Sequence, residues 1–164
     1  MGDRPVPTSR IVHRLREHTG NGCFACGLAN PIGLHIDGFA QQDGDVLARF
    51  TARPELQGII GNLHGGIAAT ALDEILVWAG IIQEKVLTVT ARLEVRYRRP
   101  VGNLDGAIRL RARVDDRRGR RLTMSGELDP GDGRSAVTAT GLYLVSHTVA
   151  ELMEGTESSG QSSR

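Results

Sequence analysis

Between Gly66 and Ile82 the chain reads Gly-Ile-Ala-Ala-Thr-Ala-Leu-Asp-Glu-Ile-Leu-Val-Trp-Ala-Gly-Ile-Ile, with Asp73 and Glu74 as the only charges in seventeen residues. A surface helix is apolar along one stripe, whereas one that is apolar on nearly every side must be enclosed. The longest apolar run within it, Ile75 to Ile82 with one Gly, falls far short of the roughly 20 residues that cross a bilayer. The enclosure therefore has to be protein.

The flanking sequence supplies strands for it. Leu34 and Ile36 alternate before Gly38, and Val46, Ala48 and Phe50 alternate with polar neighbours after Asp43-Gly44, which reads as a hairpin. Pro54 to Gly61 is irregular. After Lys85, strand patterns run over Leu87–Arg99, Ala107–Val114, Leu122–Leu128 and Ala136–Val145, separated by short turn signals that imply antiparallel pairing. One long helix and five or six such strands give an α+β fold, a curved antiparallel sheet wrapped around the helix. Residues 1–30, with a short helix expected over Ser9–Glu17, read as an accessory arm, 31–150 as the main domain and the Ser-rich 151–164 as a disordered tail.

A formal net charge of +1 gives no polyelectrolyte character, so a nucleic-acid or anionic-membrane partner is not expected. The charge is uneven, however. Arg92 to Arg121 holds eleven Arg and four acids, a surplus of seven that the rest of the chain offsets. Neither a secretory signal nor an anchor is expected in Met1–Gly20. Cys23 and Cys26 are too few for a disulfide framework, and a reducing cytoplasm fits them. A zinc ion there would need two more ligands from His13, His18 or His35; the pair is read instead as a structural turn with reduced thiols, and no metal is assigned.

Burial disfavours an ionised carboxylate and is one way enzymes make a base or nucleophile. Of the two helix carboxylates Asp73 is read as the site residue and Glu74 as solvated where the helix surfaces. His64-Gly65-Gly66 stands at the helix start, where unpaired N–H groups and the helix dipole favour a negatively charged oxygen. That end suits a carbonyl turning into an oxyanion. Asp73 lies eight residues beyond Gly65, about 12 Å along the axis. A single substrate carbonyl that uses both must therefore sit between two subunits around a two-fold axis.

The run Gly61-Asn62-Leu63-His64-Gly65-Gly66-Ile67-Ala68-Ala69-Thr70-Ala71-Leu72-Asp73, with Thr90 to Pro100 ending Tyr97-Arg98-Arg99-Pro100, resembles the hotdog-fold acyl-CoA thioesterases of the PaaI-like group, within the 4-hydroxybenzoyl-CoA thioesterase superfamily. Cys23-Phe24-Ala25-Cys26-Gly27 leading to Asn30-Pro31-Ile32-Gly33-Leu34 resembles an N-terminal element in part of that group. The resemblance implies hydrolysis of an acyl-CoA thioester with no cofactor, in homodimers whose sheets join edge to edge or in dimers of dimers. It implies Asp73 as general base or nucleophile, Gly65 as backbone donor to the thioester oxygen, His64 as the residue ordering the turn, and Thr90 as placing the water or the carboxylate. Gly66, Gln57 and Asn62 are the expected substrate neighbours, and the CoA phosphates point to the Arg segment, to Arg98 and Arg99 first, with Arg92 and Arg96 as further choices. The competing classes are a non-catalytic acyl-CoA-binding protein of the same fold and a hotdog dehydratase, whose His-and-acid spacing His64 and Asp73 do not match.

Thr90 poses a problem. It has the parity of Arg92 and Arg96, opposite to Leu93, Val95 and Tyr97, so a regular strand would turn it away from the helix. A bulge or a later strand start would resolve this, and the sequence shows neither.

Overall fold

The computed structural model describes residues 8–16, 20–102 and 104–155. The apolar segment becomes helix α2, Gly65–Glu84, preceded by helix α1 at Thr8–Arg16. The strands are β1 Asp37–Gln42, β2 Asp45–Thr51, β3 Val86–Tyr97, β4 Ala107–Arg118, β5 Arg121–Asp129 and β6 Val137–Thr148, and helix α3 spans Val149–Gly155. They form one antiparallel sheet in the order β1-β2-β4-β5-β6-β3. The sheet touches α2 through β2 to β6, which is the expected hotdog arrangement.

Helix α2 is continuous because it holds Ala, Leu and Ile without Pro, and because both ends are capped. His64, in extended backbone, accepts the Gly66 N–H on Nδ1 at 2.9 Å. At the other end Lys85 is left-handed, with its N–H on Gly80 O and its Nζ on Ile82 O at 2.6 Å. The buried side chains Ala68, Ala71, Leu72, Ile75, Leu76, Trp78 and Ile82 are distributed around most of the helix. With 20 residues α2 has the length of a membrane span, yet much of it is buried by its own sheet.

In β4 the residues Ile108, Leu110 and Ala112 point to α2 and Arg109, Arg111 and Arg113 point outward. The outward arginines meet acids on their own and adjacent strands: Arg109 with Asp129 at 3.6 Å, Arg111 with Asp45 at 3.6 Å and Glu127 at 3.8 Å, and Arg113 with Asp115 at 3.1 Å. Since β4 is an interior strand, these arginines do not guard an edge. They form an exposed ion-pair lattice in which each pair contributes at most about 1 kcal/mol. A large part of the basic surplus is thus matched locally.

Two expectations change. The first hairpin strand begins at Asp37, after Leu34 and Ile36, because the N–H groups of those two residues bond Phe24 O and Ala25 O at 2.8 and 2.9 Å. The Cys segment thus claims the stretch that the alternation offered to β2. The tail differs too: residues 151–155 complete α3, while 156–164 lie outside the described residues. The N-terminal arm contributes to the core, with Ile11, Ala25 and Cys26 buried and Arg16 Nε donating to Ile36 O at 2.7 Å.

Candidate active site

Asp73 projects from the middle of α2 toward β3 and β6. Its Oδ1 accepts two hydroxyls, Thr90 Oγ1 at 2.8 Å and Tyr143 Oη at 2.7 Å. Oδ2 has no such partner among the described residues and remains free for a substrate or water. Thr90 reaches Asp73 because β3 contains the bulge that its parity required. Thr90 pairs with Tyr143 and Arg92 with Leu142, so Ala91 is the extra residue and the alternation flips there. Before the bulge Thr90 shares the face of Tyr143; after it Leu93, Val95 and Tyr97 take that face, opposite Gly141, Ala139 and Val137.

Tyr143 is fully buried, and burial together with the Asp73 charge pushes its hydroxyl well above the ordinary tyrosine range, so it stays a donor. Gly141 makes room for it, since a Cβ there would stand 2.4 Å from the Tyr143 ring. Replacing Tyr143 by Phe should lower unfolding stability by about 1.5–3 kcal/mol, the typical worth of a hydrogen bond to a charged group, as read by urea denaturation.

The second half of the site is the start of α2. His64 lies exposed at the N-cap, and among the described residues the Gly65 N–H has no acceptor. Tyr97 Oη donates to Gly65 O at 2.7 Å and fixes the peptide from the other side. A Cβ on Gly65 would sit 3.4 Å from the Tyr97 ring, an ordinary contact, whereas one on Gly66 would sit 3.0 Å from His64 Nδ1 and disturb the cap. Gly66→Ala should therefore cost about 1 kcal/mol in a urea titration while Gly65→Ala leaves stability nearly unchanged.

A cleft of about 880 Å³ opens here, lined by Gln57, Asn62, His64, Gly65, Arg98 and Arg99 and floored by apolar groups that include Ala68, Val101 and Val137. Its volume suits a small organic ligand. The structure thus brings six of the expected site residues to one cleft, with Gly66 beside it, and places Asp73 on α2 and Thr90 on β3 outside that cleft. Gln57 Oε1 accepts from Gly61 N–H at 3.3 Å and Asn62 Nδ2 donates to Ile60 O at 3.3 Å, so both also brace the loop. Arg99 is engaged by Asp132 at 2.7 Å and by Arg134 O. Its charge and hydrogen bond hold the Asp132 carboxyl down at about 2. Arg98 has no ion-pair partner among the described residues, which leaves it available to an anion; Arg96 is paired with Glu94 at 3.0 Å.

The sequence reading missed Tyr143, Tyr97 and the environment of Glu74. Tyr143 carried a usable signal, because Val137, Ala139, Gly141 and Tyr143 alternate on one strand face and a tyrosine at the end of a small-residue series has space to reach inward. Glu74 is not solvated as expected. It lies against the Cys23–Cys26 turn, accepts the Trp78 indole N–H at 2.8 Å, and is pushed up to about 7 by burial.

The thioesterase superfamily model matches residues 60–137, which include most of the cleft, Asp73 and the bulge. Over 125 residues, 74% of this chain, the sequence is 30% identical to acyl-coenzyme A thioesterase THEM4 of Bos taurus, and it spans 50% of that protein's length. The crystal structure of protein RHA08564, a thioesterase superfamily protein, superposes with a TM-score of 0.69 at 29% identity, over 75% of this chain and 60% of that one. The PaaI protein of E. coli, from the phenylacetic acid degradation operon, shares the fold at a TM-score of 0.63 and 17% identity, over 70% of this chain and 83% of its own.

Proposed function

We infer that this chain belongs to the thioesterase superfamily and is an acyl-CoA thioester hydrolase working as a homodimer or a dimer of dimers in a reducing cytoplasm. The observation that carries this reading is the one-sided clamping of Asp73. Two hydroxyls fix Oδ1, so Oδ2 is aimed and unpaired. A carboxylate held in this way can take a proton from water, or attack a carbonyl itself. A thioester needs little more, because its thiolate already leaves readily.

In the general-base route the water oxygen bonds to the thioester carbon and its proton passes to Asp73. The carbonyl electrons move onto oxygen, where the Gly65 N–H and the N-terminal end of α2 hold the negative charge. The intermediate then collapses, the carbon–sulfur bond breaks, and the departing thiolate takes the proton from Asp73. In the nucleophilic route Asp73 forms a mixed anhydride that water hydrolyses to the same products. Neither route uses a cofactor.

Within one protomer Asp73 and Gly65 are separated by eight residues of helix, about 12 Å. Asp73 also faces β3, an edge strand that is exposed on both sides, with Val89 and Tyr97 each 54% exposed. Pairing of two β3 edges around a two-fold axis would bring the Asp73 of one subunit to the Gly65 cleft of the other and create two equal sites. Arg98, at the cleft mouth, is the first choice for a CoA phosphate.

The test is a free-thiol assay of the purified protein against a panel of aliphatic and aromatic acyl-CoAs, together with sedimentation analysis. Release of CoA from at least one panel member by a dimer or larger assembly is expected. Tight acyl-CoA binding without thiol release would establish the non-catalytic alternative, and an active monomer would overturn the shared site.

A further inference from the structure

We propose that Cys23, Cys26 and Glu74 form a zinc-binding site where the N-terminal arm meets α2. The ligand atoms of these three residues all lie within 4.8 Å of one another. None of the three enters the proposed hydrolysis. The histidines that the sequence offered are not needed: His35 Nε2 is committed to Asn30 O at 2.6 Å, and His18 lies outside the described residues.

The geometry fits the ion closely. A tetrahedral zinc with Zn–S of about 2.3 Å and Zn–O of about 2.1 Å has sulfur–oxygen edges of about 3.6 Å. Cys23 Sγ and Glu74 Oε2 stand 3.8 Å apart, so that edge already has the length a tetrahedral zinc needs, and the remaining edges lie within 4.8 Å. The same distance is long for a hydrogen bond to a carboxylate, even from sulfur. Glu74 Oε1 is held by the Trp78 indole N–H at 2.8 Å, which directs Oε2 at the cysteines. An outer partner that orients a ligand in this way is a regular part of metal sites.

The turn holds its two sulfurs side by side. The Cys26 thiol and the backbone N–H groups of Ala25, Cys26 and Gly27 lie around the Cys23 sulfur. Gly27 N–H also bonds Cys23 O at 2.9 Å, and a Cβ on Gly27 would stand 2.4 Å from Asn21 O, so the turn admits only glycine there. Cys26 is buried. Two thiols and a carboxylate thus converge in a partly buried pocket, and among the described residues no Lys, Arg or His forms an ion pair with Glu74. Two sulfur donors and one carboxylate oxygen are a donor set for a divalent cation, and the softness of sulfur favours zinc over magnesium or calcium. Solvent on the open side of half-buried Cys23 completes four-coordination.

The full chain, reduced and equilibrated with zinc chloride, then desalted, should retain one zinc per chain by mass-spectrometric metal analysis. Cobalt(II) in its place should give tetrahedral visible bands and a thiolate-to-cobalt charge-transfer band in the near ultraviolet. Cys23→Ser should weaken zinc binding at least about a hundredfold in competition with a chromophoric chelator, and Trp78→Phe about tenfold through loss of the orienting N–H. Circular dichroism of Cys23→Ser confirms that the fold is retained; should that variant not fold, zinc stoichiometry and the cobalt spectrum of the unaltered chain decide alone. Zinc well below one per chain, a cobalt spectrum without thiolate character, or unchanged affinity in a folded Cys23→Ser chain would each overturn the site, as would a Cys23–Cys26 disulfide persisting in reductant.

Discussion

Asp73→Ala lowers the turnover of the best acyl-CoA substrate by about 10²- to 10⁴-fold, the range over which a positioned general base acts, while sedimentation still shows the assembly of the unaltered protein. The asymmetry of its contacts makes this a sharp test. Thr90 and Tyr143 both bind Oδ1, so Asp73→Asn retains one oxygen for these hydroxyls but presents an amide where the proton acceptor should be. Asn should therefore fold as well as Asp and be nearly as inactive as Ala. Turnover of Asp73→Asn within a few-fold of the unaltered protein removes Asp73 from the chemistry, and a loss of assembly in Asp73→Ala assigns it a structural role instead.

Trp78→Ala carries the largest expected stability effect, about 3–5 kcal/mol in urea denaturation, the usual cost of emptying a buried aromatic site. Trp78 is 2% exposed, its ring stacks on Phe39 with centroids 4.1 Å apart, and its indole N–H satisfies Glu74. Truncation therefore removes the ring, the stack and the carboxylate's donor together. Trp78→Phe separates these terms, because it keeps most of the volume and the stack and loses only the donor. Its cost should be about 1–3 kcal/mol, the penalty for a buried polar group left without a partner. A smaller change in Trp78→Ala than in Trp78→Phe would show that the pocket collapses around the missing ring.

The enclosed helix was legible in the sequence because a rod that is apolar on nearly every face has few places to go. The β4 alternation of Ile108, Leu110 and Ala112 with arginines likewise fixed which face turned inward, and the structure agrees. What the pattern could not disclose was set by competition between distant segments. Leu34 and Ile36 alternate like a strand, yet the carbonyls of Phe24 and Ala25 take their N–H groups. Glu74 looked like the solvated neighbour of Asp73, since neither Trp78 N–H nor the Cys turn is visible from spacing alone. Thr90 is the most instructive case: its side was misassigned by a regular strand, and the conflict itself marked where the strand had to be irregular.

The bulge at Ala91 makes the length of β3 a property under tight control. Strand β3 serves Asp73 through Thr90 midway along the helix and Gly65 through Tyr97 at its start, and the extra residue lies between them. Removing Ala91 would straighten the ladder, and one of the two contacts would have to turn to the opposite face. Substitutions along this strand can therefore be absorbed one at a time, while a single-codon deletion cannot. Evolution of this chain toward new substrates is expected to proceed by exchange of side chains around the cleft, with the residue count from Thr90 to Tyr97 held constant.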